Sequence, residues 1–441
     1  MSRKISIIVI FSVIFLFGLK FSEASVTVEA GADTPAVLTG KSHKVTARVL
    51  LKPGVSLKSR APIAAALVID KSGSMNADDK MENAKRGAIE ALQLLDARDI
   101  ATVVAYDTSA YVLAGARSVS NMEYFTTKIS RLNAAGSTAL YDGVKLGAKE
   151  IDRFIESGYV PRIILLSDGQ ANVGPSTVRE LTILGRSLSK LGITVTTIGL
   201  GLDYDEDLMT AIAAESGGNA YFAQTRDRLE DIFRRDMEDA VAITGRGVRI
   251  TLSCEGDVQP LRSVGRDGKL NAKELVVDID NLYGAEKYAI FEIEVPASEI
   301  ETTMRAGKIK VEYTDAVTDS AVALESYLDI EFTASEDYAK KQRNSEIAAQ
   351  AEIARNAEIL ELAVKLSDSG RGMEASTMLK ERVEYLSDAE FEGNDFIQQE
   401  IKNFDSLAKD ISVEGKMSNE KRKSSVNKAY ESKNQQTSVS R

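Results

Sequence analysis

Between Ala61 and about Val241, short runs that are apolar save for threonines alternate with longer stretches whose apolar residues recur at helical spacing. The runs are Ile63–Leu67 continuing into Val68, Ile100–Tyr106, Ile163–Leu166 and Ile193–Ile198; the stretches are Met81–Leu95, Leu140–Phe154 and Val178–Leu191. A strand with apolar or β-branched residues on both faces and no charge is covered on both sides, so these runs predict a parallel sheet between two helical layers. The alternation itself predicts an α/β, doubly wound, Rossmann-like domain. Tyr111–Ala114 reads as an antiparallel edge strand and Ala220–Phe222 as a last parallel one, followed by a helix through Leu229, Ile232 and Phe233.

Both flanks change period. Val26–Leu57 and Val248–Phe332 alternate every second residue, with Val45, Ala47 and Val49 in the first, then Ala289, Phe291, Ile293 and Val295 and Ile309, Val311 and Tyr313 in the second. A lone pair of strands is marginal by itself. The early strands are therefore expected to complete the sheets of the later ones, making one β-sandwich into which the α/β domain is inserted. After about Ala334 the period becomes 3.6: Ile353, Ala357, Leu360 and Val364 form one face, Met378, Leu379, Val383 and Leu386 another, and Gly370 and Gly372 divide them into a helical hairpin. A third amphipathic stretch through Ile397, Ile401, Phe404, Leu407 and Ile411 is expected to pack on it. Beyond Gly415 the chain is rich in Lys, Ser and Asn, and this polar tail is expected to stay disordered for want of a core. The boundaries read as 1–24, 25–60, 61–243, 244–335, 336–412 and 413–441.

The 441 residues, 44% hydrophobic, suffice for two or three domains with real cores. A net charge of −11 argues against nucleic acid as a partner, since binding to phosphate backbones rests on clustered Lys and Arg. Arg3 and Lys4 precede fifteen uncharged residues from Ile5 to Leu19, and Ser22-Glu23-Ala24 follows at the spacing a signal peptidase reads. Residues 1–24 are thus expected to be a signal peptide cleaved after Ala24, with the mature chain periplasmic, in the cell envelope or secreted; membrane contact is expected only from an uncleaved segment. Cys254, the sole cysteine, is in phase with Val248, Ile250 and Leu252 and reads as a buried small hydrophobe. His43, the sole histidine, reads as a strand-end residue, which leaves the α/β domain without an imidazole for a Ser-His-Asp triad or a zinc site.

Candidate chemistry lies where the apolar runs stop. The first ends in Val68-Ile69-Asp70-Lys71-Ser72-Gly73-Ser74; Gly136-Ser137-Thr138 precedes the helical stretch at Leu140; and Ile163–Leu166 runs into Ser167-Asp168-Gly169. Carboxyl ends of parallel strands are where open α/β sheets bind ligands. Neutral hydroxyls and carboxylates without thiolate or imidazole suit Mg²⁺ (or Mn²⁺), which wants six oxygens at roughly 2.0–2.1 Å. Asp78 and Asp79 are expected to cap the start of the next helix and not to be ligands, Asp142 to be solvated or to support the site indirectly, and Lys71 to be solvated on its rim.

Asp70-Lys71-Ser72-Gly73-Ser74, with Thr138 and Asp168 downstream, resembles the metal-ion-dependent adhesion site of von Willebrand factor A domains. The resemblance implies that Ser72, Ser74 and Thr138 coordinate Mg²⁺ (Mn²⁺ and Ca²⁺ being the alternatives), that Asp70 and Asp168 hold it largely through waters and hydrogen bonds, and that a protein partner supplies an Asp or Glu carboxylate. Leu275–Tyr283, Ala289–Pro296 and Lys308–Tyr313, with the helical hairpin, look like exported bacterial proteins similar to calcium-activated chloride channel regulators and inter-alpha-trypsin inhibitor heavy chains. The expected function is an exported, non-enzymatic protein-binding module. The alternatives are a metal-dependent hydrolase and a domain whose metal is purely structural. An aspartyl phosphatase usually carries a second acid two residues after its nucleophile, and that position after Asp70 is Ser72.

Overall fold

The structure, a computed structural model, describes residues 26–54, 61–223, 226–387, 391 and 393–436. The leader segment 1–24 lies outside the described residues. Three strands come first: β1 (Val26–Ala32), β2 (Ala36–Leu38) and β3 (His43–Pro53). The α/β domain follows, with β4 (Ile63–Asp70), α1 (Lys80–Gln93), β5 (Ile100–Tyr106), β6 (Ala110–Ser118), α2 (Met122–Ile129), α3 (Leu140–Asp152), β7 (Val160–Ser167), α4 (Val178–Lys190), β8 (Thr194–Leu200), α5 (Glu206–Ser216), β9 (Ala220–Ala223) and α6 (Arg226–Val241). Its sheet has the order β6-β5-β4-β7-β8-β9, with only β6 antiparallel to its neighbour.

β4, β7 and β8 are buried at every residue. Along β4, Ile63, Ala65, Leu67 and Ile69 pack with Met81, Ala84 and Ala88 of α1, while Ala64, Ala66 and Val68 meet Leu140, Val144 and Ile151 of α3. This is the two-sided core that the uninterrupted apolar runs require. On α3, Cβ atoms at Gly143 and Gly147 would lie 2.8 Å from Tyr106 and Val68 respectively, so two glycines let the helix lie against β4 and β5. That close approach sets the residues just before α3, Thr138 among them, over the carboxyl edge of the sheet.

After the α/β domain come β10 (Gly245–Cys254), β11 (Gln259–Val264), β12 (Gly268–Asn271), β13 (Glu274–Leu282), β14 (Lys287–Val295), β15 (Thr302–Asp315) and β16 (Ala321–Thr333). They form two sheets with the early strands, of order β1-β3-β14-β11 and β12-β13-β10-β15-β16-β2. Because β3 lies between β1 and β14 in antiparallel register, Val49 opposite Ala289 and Val45 opposite Ile293, the sandwich is closed only by chain from both sides of the α/β insertion. Val45, Ala47, Val49, Phe291, Ile293, Ile250, Ile309 and Phe332 share its core. Cys254 is buried there, and burial pushes its thiol up to about 11. His43 begins β3, with Nε2 2.7 Å from Leu38 O.

The helical region comprises α7 (Glu336–Lys341), α8 (Ser345–Asp368), α9 (Gly372–Leu386), α10 (Asp395–Glu414) and α11 (Asn419–Asn434). Leu360, Val364, Leu379, Phe404, Leu407 and Ile411 join α8, α9 and α10 in one core. The tail expected to be disordered contributes α11 instead. Its buried residues include Lys423, Ser425 and Asn427, and Asn427 Nδ2 donates to Tyr204 Oη at 2.9 Å while Tyr430 Oη donates to Gly218 O at 2.8 Å. The helix docks through polar contacts, which a count of apolar residues does not register. Among the described residues no helix is long and apolar enough to cross a membrane.

Candidate metal centre

Parallel pairing of β4 with β7 puts their carboxyl ends side by side, and with them Asp70 and the Ser167-Asp168 pair. Asp70 is fully buried: Oδ1 accepts the Ser72 N–H at 2.8 Å and Oδ2 accepts Ser167 Oγ at 2.8 Å. The first bond folds the loop back on itself and turns the two serines toward Asp168. Ser74 Oγ donates to Asp168 Oδ1 at 2.7 Å and lies 3.0 Å from Ser72 Oγ. The loop before α3 is tied to the same turn by Gly73 N to Gly136 O, 3.0 Å, and Ala135 N to Lys71 O, 2.7 Å. Gly136 has φ +84°, a conformation that a side chain disfavours and that lets this loop bend back over the first. Thr138 N donates to Asn172 Oδ1 at 2.8 Å, so the loop after β7 fixes the threonine.

Three hydroxyls from two loops then point to one place. A Cβ on Gly169 would lie 3.2 Å from Ser74 Oγ, 3.6 Å from Thr138 Oγ1 and 4.0 Å from Ser72 Oγ. The absence of a side chain at Gly169 leaves that space open. The structure thus brings together all five residues singled out in the sequence: Asp70, Ser72, Ser74, Thr138 and Asp168.

Burial pushes Asp70 up to about 6, against the lowering effect of hydrogen bonds from Ser72 and Ser167, and the charge of Asp168 raises it further. Lys80, the first residue of α1, donates from Nζ to Asp168 Oδ2 at 2.9 Å and reaches Asp203 at 3.5 Å. Burial works to lower the Lys80 ammonium, but the bond and charge of Asp168 outweigh it and hold the group above its ordinary value.

Some expectations change. Lys71 is not a solvated rim residue: it is 13% exposed and paired with Asp107 in the adjoining loop, because the turn carries its side chain across the sheet edge. Asp78 and Asp79 do not cap α1. Both have left-handed φ, +52° and +55°, and Asp79 at the N-cap makes no side-chain cap bond. Asp142 is exposed on α3. Lys80, Ser167 and Asn172 had not been singled out. Lys80 carried a signal, since a lysine opening a helix sits against the helix dipole and calls for an anionic neighbour.

The donor set fits a hard divalent cation: three neutral hydroxyls and two carboxylates, with the serines and aspartates oriented by side-chain hydrogen bonds and Thr138 held through its backbone N–H. Among the described residues no three of His, Cys, Asp and Glu converge into a metal-holding group, so an ion here would rest on hydroxyl oxygens.

Residues 66–235 match the family model described as the von Willebrand factor type A domain. An uncharacterized protein of Synechocystis is 32% identical over 176 residues, 40% of this chain and 41% of that one. Calcium-activated chloride channel regulator 1 of Bos taurus is 25% identical over 45% of this chain and 22% of its own length, and inter-alpha-trypsin inhibitor heavy chain H4 of Homo sapiens 28% over 35% and 17%. The matched part is less than half of each of these relatives. Among solved structures, a von Willebrand factor type A protein from Catenulispora acidiphila superposes with a TM-score of 0.64 at 17% identity, covering 87% of this chain and 96% of that one.

Proposed function

We propose, from the match of residues 66–235 to the von Willebrand factor type A domain model, that this chain is an exported, non-enzymatic protein-binding module that captures a partner's Asp or Glu through a divalent cation, Mg²⁺ in the first place. The observation that carries the reading is the convergence of the Ser72, Ser74 and Thr138 hydroxyls above Gly169, with Asp70 and Asp168 behind them. In this reading the hydroxyls coordinate directly, and the two aspartates act through waters and hydrogen bonds. When bound, the ion supplies a positive charge that neutral ligands leave largely uncancelled, and a partner carboxylate is drawn to it. The chain's own residues prepare the place: Asp70 holds the serine loop, Asn172 holds Thr138, and Lys80 keeps one oxygen of Asp168 occupied while the other faces Ser74. Export rests on the leader read in residues 1–24, and the periplasm, the cell envelope or the exterior is where the partner would be met.

Thr138→Ala tests the reading, since it deletes one hydroxyl and leaves both aspartates and both serines in place. Calorimetric Mg²⁺ titration should show affinity weakened by about tenfold or more. Partner capture from envelope extract, strong in Mg²⁺ and lost in chelator for the wild type, should fall in the variant, while metal-free thermal stability stays near normal. A variant that takes up Mg²⁺ and captures its partner as the wild type does would move the binding surface to the sandwich or the helical region. Capture that persists in chelator while thermal stability drops would make the ion structural.

A further inference from the structure

A cleft of ≈ 620 Å³ opens over the hydroxyl cluster. Ser74, Thr138 and Gly169 line it together with the loop after β7, the loop after β8 with the start of α5, and the first turns of α11. The wall is therefore composite, built by the α/β domain and by a helix more than two hundred residues later in the chain.

The cations of this cleft are already committed. Arg422 pairs with Glu206, with Asp207 at 2.8 Å and with Asp368 at 2.8 Å; Lys423 pairs with Glu206 and donates to Tyr204 O; Lys80 holds Asp168 at 2.9 Å. Asp203 is different. Its side chain is 76% exposed, and its contact with Lys80 Nζ, at 3.5 Å, is the longer of that ammonium's two. Next to it Leu202 is 45% exposed on the same wall. The exposed Gln170 amide lines the same cleft, as does Asn172, whose Oδ1 already holds Thr138 N and whose Nδ2 remains to donate to a peptide backbone.

We propose that this cleft takes a polypeptide segment in which an Asp or Glu is followed or preceded, within about two residues, by a Lys or Arg. This rests on the reading of the metal centre given above. The acid goes to the ion held by Ser72, Ser74 and Thr138. The basic side chain lays its aliphatic stem on Leu202 and its charged head on Asp203, the arrangement long cations adopt at half-apolar surfaces. Asp168 accepts from Ser74 of the hydroxyl cluster through one oxygen and from Lys80 through the other, and Lys80 reaches Asp203, so the place of the ion and Asp203 are joined through one carboxylate and one ammonium, a spacing that residues one or two apart in an extended segment span with their side chains. A segment carrying acids alone would meet Asp203 with like charge, on a chain of net charge −11. Discrimination of this kind, at an exposed carboxylate, is worth roughly two- to fivefold in affinity.

The test is selection from a random displayed peptide library on the full chain in Mg²⁺, with elution by chelator. Wild type should yield sequences with an acidic residue and a Lys or Arg within about two positions. Asp203→Asn should yield acidic sequences without that basic companion. Acid enriched in the wild type with no basic companion overturns this inference and leaves the metal-centre reading standing. A basic companion that persists in Asp203→Asn also overturns it. Chelator-eluted sequences with no acidic residue overturn the metal-centre reading itself, and this inference with it.

Discussion

Lys80 shows how a single side chain can set both the stability and the charge of the centre. Its ammonium is buried at the edge of the hydroxyl cluster and satisfies Asp168 Oδ2, an atom of a fully buried carboxylate. Replacing it by Met would leave that acceptor without its donor, a loss of about 1–3 kcal/mol in the metal-free protein. It would also leave more of Asp168's charge for a cation. Lys80→Met should therefore unfold at lower temperature than wild type without Mg²⁺ and gain more from saturating Mg²⁺ than wild type does, because ligand binding to the folded state adds to stability by mass action. Thermal unfolding with and without Mg²⁺ measures both, and an Mg²⁺ gain equal to that of wild type would remove Lys80 from the electrostatics of the site. The five candidate residues were legible because each stands where an apolar run stops or a helical stretch begins, and such positions meet at one sheet edge. Lys80 was legible only as a lysine in need of an anion; which anion was not, since its partner lies at a strand end 88 residues away.

At the scale of elements, α11 is the part that the hydrophobic pattern hides. It is held by buried charge: Lys423 and Glu206 are both nearly inaccessible and pair with each other, and Arg422 joins Glu206, Asp207 and Asp368. Breaking a buried pair from one side leaves an uncompensated charge, which typically costs about 3–5 kcal/mol. Arg422 stays on the other oxygen of Glu206, so Lys423→Met should lose less than that in urea unfolding, about 1–3 kcal/mol, and adding Glu206→Gln should recover part of it by removing the half-paired carboxylate. If the double variant is no better than the single one, α11 is held by something other than this pair. The strands and helices of the α/β domain were readable because each buries a regular apolar face. β3 was half readable: Val45, Ala47 and Val49 mark the sandwich core, but Thr46 and Arg48 are buried too, where Arg48 reaches Glu346 at 2.5 Å and Arg355 reaches Thr46 at 3.2 Å from α8.

The whole molecule is joined across a carboxylate. Glu292 of β14 meets Lys44 of β3 at 2.8 Å, Arg262 of β11 at 3.0 Å and Arg355 of α8 at 3.0 Å, so sandwich and helical region share one buried anion. The insertion of the α/β domain could be inferred from two flanks too small to close a sheet alone. The docking of α8 onto that sheet could not, because its seam joins only a small apolar patch, Val264 and Ile290 against Ala351 and Ala354, to ion pairs between residues dozens to hundreds of positions apart. The seam has a pH signature. Burial works to raise Glu292, but hydrogen bonds from Lys44, Arg262 and Arg355 outweigh it and hold the group down at about 2. A folded-state value below the unfolded one contributes stability that is fully present above the unfolded value, about 4.3, and is lost as pH falls toward 2. The contribution is on the order of 3 kcal/mol. Asp239, which burial pushes up to about 6, acts with the opposite sign and weakens the fold as pH rises from about 4 to 6. On these groups stability should peak near pH 4 and fall on both sides, toward pH 6 through Asp239 and Asp70 and toward pH 2 through Glu292. Glu292→Gln, measured by urea unfolding from pH 2 to 7, should be less stable than wild type at pH 7, where three cations lose their common anion, and should flatten the acid limb so that the two curves approach each other near pH 2. An acid limb as steep in the variant as in wild type would place the acid sensitivity in other carboxylates and leave Glu292 a contact without a titration.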